Sequence, residues 1–420
     1  MNEKLLQYIW QYQLFNKASL VTTDDDPIKI FKPGLINHHQ GPDFSNALIK
    51  IDQEIWAGNI EVHINSTDWK RHQHILEDHY DTIILHVVWN HDQDLQLPFP
   101  TLELKTLVPK LLIEKYTLLQ QNESFIPCEK QVHSISFITL EKFKESLIAE
   151  RLQQKSNDVF KLLNQVNGDW EEVAWQVLCR NMGGKVNGEA FESIAKILSF
   201  KLLSKYRYQP IYIEALLLGM AGLIEPNSED VYEKELNEIF QHLKIKHQLT
   251  ELKCKVSFLR MRPYQFPTIR LSQLAMLVLQ QEYLFSTIIE LKPLKVYENL
   301  FHVSASNYWD NHYCFGVQSK FQKKIIGKNM INNFMINTLA VLLYAYGFYH
   351  KEEKYIEAAV AILIKIPAEK NKTIEGFTQI GFNFFSAYDT QGFHQLKNKY
   401  CNELKCLNCT IGHQIFRNSE

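Results

Sequence analysis

Asp43, Glu61 and His63 have the residue types and the spacing to do metal-dependent chemistry. Gly41-Pro42-Asp43-Phe44 is followed, eighteen positions after the Asp, by Glu61-Val62-His63. Two carboxylates brought close repel when both are ionised, and a shared hard cation such as Mg²⁺ or Mn²⁺, held by oxygen ligands and water, relieves that repulsion. Such a cation polarises a phosphoryl oxygen and lowers the pKa of a bound water, which becomes a nucleophile. An imidazole that titrates near neutral pH positions or deprotonates that water. Together these parts make a site for phosphodiester hydrolysis.

The elements that must position them follow from alternation, because strand side chains change face at every residue. From Ile55 onward, Trp56, Gly58, Ile60, Val62 and Ile64 fall on one face, and Asn59, Glu61 and His63 on the other. Asn46 to Ile51 reads as the preceding strand, and Asp52-Gln53-Glu54 is polar and short enough for a hairpin loop. A turn centred near Gln53 places Asp43 opposite positions 61 to 63. Before the hairpin, Leu6, Ile9, Trp10 and Leu14 give Glu3 to Phe15 an amphipathic helical pattern. Glu3, Gln7 and Gln11 share one face of it, read here as a solvated polar face. Leu20-Val21-Thr22 and Ile28 to Phe31 flank a turn cluster and predict a further hairpin. After the acids, Ser66-Thr67-Asp68 caps a helix expected to run to about Tyr80. Thr82 to Trp89 is apolar on both alternating sets, the pattern of a central strand, and Pro100 to Thr106 predicts another.

Pro-Asp, a strand, then Glu-X-base resembles the PD-(D/E)XK nuclease core, with Asp43 and Glu61 on its two acidic positions. In that family a Lys normally stands where this chain has His63, and an acid or amide on the first helix can join the site. A literal Glu-X-Lys occurs at Glu103-Leu104-Lys105 and at Glu251-Leu252-Lys253, neither after a Pro-Asp hairpin. The resemblance implies a metal-dependent nuclease using Mg or Mn. A degenerate core that binds nucleic acid or acts as a scaffold without catalysis is the alternative. Half of the sixteen His lie between positions 38 and 91, at His38, His39, His63, His72, His74, His79, His86 and His91. They leave open a third reading, a His/carboxylate metallohydrolase using His63, Asp68, His72 or His86.

A second metal pattern lies near the C-terminus. Cys401-x4-Cys406-x2-Cys409 places three of the seven Cys within nine residues, with His413 four residues later. A zinc site would close with His413 or another Cys. An iron-sulfur cluster would take Cys128 as its fourth thiolate, which requires the stretch around Pro127-Cys128 to lie beside the C-terminus. Some PD-(D/E)XK nucleases carry a cluster made from one distant Cys and three C-terminal ones, and the arrangement looks similar, although their lone Cys precedes the nuclease motifs. Candidate nucleic-acid contacts come from Arg260-Met261-Arg262-Pro263-Tyr264-Gln265-Phe266-Pro267-Thr268-Ile269-Arg270, where Arg260, Arg262 and Arg270 suit phosphate and the aromatics suit unpaired bases. Arg180 to Gly188 lacks Walker spacing and reads as a Gly-rich helix stop.

The chain of 420 residues is long enough for two or three domains, and its formal charge of −2 offers polyanions no global attraction. Any nucleic-acid surface must be a local basic patch. Seven Cys, an odd number in a chain without a signal-peptide pattern, point to thiols or metal ligands in a cytoplasmic protein. Met330 to Tyr349, interrupted by Asn332, Asn333, Asn337 and Gly347, suits a buried helix better than a membrane span. The expected class is α+β: a nuclease-like mixed sheet over 1–120, a linker over 121–134, helices over 135–395 and a Cys-rich segment over 396–420. Over nearly its full length the chain also resembles an uncharacterised bacterial family, the domain of unknown function DUF 2851. That resemblance rests on Gly41-Pro42-Asp43-Phe44, Trp56 to His63, Ser66-Thr67-Asp68-Trp69, Leu85-His86-Val87-Val88, Phe266 to Arg270 and the terminal Cys group, and it implies no activity.

Overall fold

The computed structural model describes residues 1–37, 41–71, 82–250 and 255–417. The fold is mixed, an N-terminal curled sheet followed by a large helical region. The chain divides into two compact units, Met1–Phe143 with Leu396–Glu420, and Lys144–Gln395.

In the first unit the helix α1 (Glu3–Gln11) starts where the Asn2 side chain accepts the Leu5 N–H, and it buries Leu5, Leu6, Ile9 and Trp10. The sheet contains β1 (Ile28–Lys32), β2 (Leu35–Ile36), β3 (Phe44–Ile51), β4 (Glu54–Asn65), β5 (Ile83–Asn90) and β6 (Thr101–Glu103). Its order is β1-β3-β4-β5-β6, with β2 paired to β3. The hairpin expected around positions 20 to 31 reduces to a Val21–Pro27 bridge, because β1 pairs with β3 instead.

β3 and β4 are antiparallel and joined by Asp52 and Gln53, with Asp52 at φ +52°. Ala47 faces Gly58, and after a bulge carrying Asn46 at φ +56° Phe44 faces Ile60. The bulge moves the pairing by one residue and aligns Asp43 with Glu61. The short helix α2 (Asp68–Arg71) follows β4, and the expected continuation to Tyr80 lies outside the described residues. β5 then runs parallel to β4, with Glu61 beside His86 and His63 beside Val88. Gly58 permits this pairing: a Cβ there would stand 2.5 Å from both Ile84 Cγ2 and the Thr82 carbonyl.

β5 is buried on both faces from Ile83 to Val88. β4 departs from the simple alternation, because Glu61 and His63 are as buried as Ile60 and Val62. The face carrying the chemistry is therefore covered. α1 packs over it, as does Trp69 from α2.

The described residues of the second unit are mainly helical, with a two-stranded ribbon, His312–Cys314 with Val317–Gln318, and two isolated bridges, Ser304–Ile325 and Pro367–Ser386. Its core includes Trp175, Phe191, Leu217, Leu274, Trp309 and Phe334. Trp170–Ile197 is two helices that meet at a kink at Gly184, φ +61°, within the Gly-rich stretch expected to stop a helix. Residues 328–350 are helical with a wide turn at Met335–Leu339. Among the described residues no helix is long and apolar enough to cross a membrane.

Candidate metal and nucleic-acid site

Asp43 enters β3 with each of its polar groups in use. Its backbone N–H donates to Glu61 Oε2 at 3.1 Å, and its Oδ2 accepts the Val62 N–H at 3.1 Å. Its Oδ1 accepts Gln7 Nε2 at 2.9 Å. The α1 face read as solvated therefore serves the site: Gln7 holds Asp43, and the Glu3 charge is felt by Glu61. The signal was the repeat of Glu3, Gln7 and Gln11 at four-residue spacing, but nothing local says that such a face turns toward a sheet.

Glu61 is 5 % exposed and His63 2 %. Burial pushes the Glu61 carboxyl up to about 8, the neighbouring Asp43 and Glu3 charges push the same way, and the Asp43 N–H opposes them. His63 Nε2 lies 3.6 Å from Glu61 Oε1, and His63 Nδ1 is 2.9 Å from Nε2 of the fully buried His86. One of the two facing nitrogens must carry the proton and the other accept it. The Trp69 ring stands edge-on to both imidazoles, 6.1 Å from His63 and 5.3 Å from His86. Asp68 Oδ2 accepts the Asn65 N–H at 2.9 Å. Asp92 clamps the same turn through Thr67 and Ser66, and these hydrogen bonds hold its carboxyl down at about 2. His38, His39, His72, His74, His79 and the second Glu-X-Lys lie outside the described residues. Lys105, from the first Glu-X-Lys, donates to Asn90 Oδ1 at 2.8 Å.

Among the described residues no group of three or more His, Cys, Asp or Glu side chains stands in metal-coordinating geometry. Asp43 and Glu61 remain compatible with a hard cation. Mg²⁺ is usually held by one or two carboxylates with water and substrate phosphate. A groove of about 690 Å³ lies on the far side of Gln7 and Asn37, and Asp43, Glu61 and His63 are not among the residues that line it. Gln7 and Asn37 belong to its lining, and the Asn37 N–H donates to the Asp43 carbonyl at 2.7 Å. Lys4, Tyr12, Tyr116 and Lys405 also line it.

The three Arg of the helical unit separate. Arg260 and Arg262 are exposed, and Arg262 Nη1 donates to the Tyr264 hydroxyl at 3.3 Å. Pro267 opens the helix Pro267–Gln280 at its first turn, so Arg270 is helical and 7 % exposed, its guanidinium donating to Gln273 Oε1 at 2.8 Å. Burial lowers its pKa to about 10.

Cys128, Cys401, Cys406 and Cys409 line one small cavity in the first unit, with Leu119, Pro127 and Gly412. Burial, followed by the other thiols, raises Cys128 to about 12 and Cys406 to about 11; burial raises Cys409 to about 11 and also raises Cys401. His413 lies apart from that cavity, its ring edge-on to Tyr12 at 4.5 Å and Tyr8 at 5.0 Å.

No curated protein and no solved structure matches the chain. A family match spans residues 3–372, which takes in Asp43, Glu61, His63 and Cys128 and stops short of Cys401. On that match the chain belongs to the family described as Protein of unknown function (DUF2851).

Proposed function

We propose that the chain is a divalent-metal-dependent nuclease, with Asp43 and Glu61 as the ligands of one Mg²⁺ or Mn²⁺ and His63 beside the attacking water. The observation that carries this reading is the tie between the two acids across β3 and β4, where the Asp43 N–H donates to Glu61 Oε2 and Asp43 Oδ2 accepts the N–H of Val62, the residue after Glu61. The bound ion would supply Lewis acidity and an acidified water. Gln7 orients the Asp43 carboxylate, and the contact with His86 fixes the tautomer of His63.

Other features support the same reading. A helix, an antiparallel hairpin bearing the acids, a crossover and a parallel buried strand follow one another in the order of the PD-(D/E)XK core that the sequence resembles. The groove beside Gln7 offers tyrosines on which bases can stack and Lys4 for phosphate, while its other lysine, Lys405, is paired at 2.6 Å with Glu403 of the same lining. Arg260 and Arg262 offer further guanidinium groups on the helical unit, and the buried Arg270 does not.

One observation favours the second reading, a non-catalytic nucleic-acid-binding or scaffold protein on the same core. His63 stands where the family has Lys, and its two nitrogens already face Glu61 and His86 in a buried setting. A nuclease assay with Mn²⁺ on mixed single- and double-stranded DNA and RNA separates the two. The first reading expects cleavage by the native chain that Asp43→Ala and Glu61→Ala reduce by at least about 100-fold, a loss of about 2.7 kcal/mol of barrier lowering. Equal activity in all three proteins removes it, and binding without cleavage supports the second.

A further inference from the structure

The four cysteines come from stretches far apart in sequence that specific contacts bring together within the first unit. Lys397 Nζ donates to the Phe125 carbonyl at 2.6 Å and lies 4.7 Å from the Phe125 ring centroid, pinning the segment before Cys128. Cys128 itself begins a tight turn in which the Gln131 and Val132 N–H groups both donate to its carbonyl at 2.9 Å. On the other side, Cys401 ends the wide helical turn Lys397–Cys401 and Cys406 opens the short turn Cys406–Asn408.

Cys409 directly precedes the helix Thr410–Arg417, where the backbone N–H groups of Ile411 and Gly412 favour its thiolate against the burial that raises its pKa. Free N–H groups in a first helical turn are donors without intrahelical partners, and they favour an anionic sulfur. Gly412 makes this arrangement possible. A Cβ there would stand 2.0 Å from the Cys406 carbonyl oxygen, so only glycine lets the helix rest directly on the Cys406 turn.

The cavity that the four thiols line has a volume of about 20 Å³. Holding a single water takes roughly 10–15 Å³ on the same scale. The space between the thiols is of the order that one ion with Zn–S bonds of about 2.3 Å needs. Four Cys ligands with no oxygen or nitrogen donor are a set that tetrahedral structural zinc and iron–sulfur clusters both take, and the small space between the thiols favours the single ion.

We propose that Cys128, Cys401, Cys406 and Cys409 hold one zinc ion as a structural four-thiolate centre. As they stand, the four side chains line the cavity without being drawn into coordinating geometry. Binding turns the sulfurs inward; four S–H bonds break, four Zn–S bonds form and the protons pass to solvent, with no change of oxidation state. The centre fastens the segment 396–417 to the stretch around Cys128 and is independent of the chemistry at Asp43 and Glu61.

Elemental analysis of the full-length chain, produced with zinc and iron both supplied, tests this directly. About one zinc per chain is expected, with no visible colour. Exchange of zinc for cobalt in the native chain is expected to produce a sulfur-to-cobalt charge-transfer band. Cys128→Ser and Cys409→Ser should lose the zinc, and Cys314→Ser, in the other unit, should keep it. Iron with acid-labile sulfide and a broad visible band, zinc content that Cys128→Ser leaves unchanged, or a cobalt spectrum without charge transfer would each overturn the proposal. The cobalt spectrum needs no variant, so it decides the matter even if a Cys→Ser chain fails to fold.

Discussion

Asp43 and Glu61 are locked to each other across the β3–β4 pair. The Asp43 N–H donates to Glu61 Oε2, and Asp43 Oδ2 takes the next N–H along β4, that of Val62, both at 3.1 Å. Two acids eighteen residues apart are thereby held on one side of the sheet, and Gln7 from α1 secures the outer oxygen of Asp43.

Gln7 should act through Asp43. Gln7→Ala removes the donor to Oδ1 and leaves the strand register untouched. We expect the Mn²⁺ affinity of the full-length chain to fall about 10–100-fold, as it does when groups that orient a metal ligand are removed. The far-ultraviolet circular dichroism spectrum should not change. An unaltered affinity would mean that Gln7 only packs.

The Glu61 carboxyl predicts the direction of a pH effect. Its pKa is raised in the fold to about 8 from an ordinary value of 4.5. Between those values the unfolded chain has released this proton and the folded chain retains it, so the contribution of Glu61 to stability declines as pH rises from about 4.5 to about 8 and is flat above. In EDTA, the native chain should therefore lose melting temperature relative to Glu61→Gln over that window. Added Mn²⁺ should restore stability to the native chain at pH 8 and do little for the variant. A native-minus-variant difference that stays constant with pH would contradict the assignment.

Gly58 sets the spacing of β4 against β5. A methyl group there meets Ile84 Cγ2 and the Thr82 carbonyl at 2.5 Å, a contact that flexible side-chain motion cannot relieve, because one neighbour is backbone. Gly58→Ala should cost about 1–3 kcal/mol, read as a lower urea midpoint with an unchanged slope. A midpoint equal to that of the native chain would show that the two strands can part without cost.

Much of this was legible in the residues themselves. A short polar loop between two alternating runs is enough to place Asp43 near Glu61, because antiparallel partners have a constant sum; the bulge at Asn46 then picks Glu61 out of the three candidate positions. His86 beside His63 was not legible, because a parallel neighbour arrives through a crossover whose length leaves the register free. Nor does alternation reveal that the polar face of β4 is covered, since Glu61 and His63 are written with letters that usually mean solvent. The meeting of Cys128 with the terminal three has no local signal at all and depends on contacts such as Lys397 with Phe125. Arg270 is the opposite case. Pro267 at the first helical position was a readable start signal, and it carries Arg270 into the core.

The most direct test of the central claim is calorimetric titration of the zinc-saturated full-length chain with Mn²⁺ at pH 8, a cation that prefers oxygen donors over thiolates. One saturable site is expected, lost in Asp43→Asn and lost again in Glu61→Gln. Native-like Mn²⁺ binding by both variants would mean that these two acids do not share an ion.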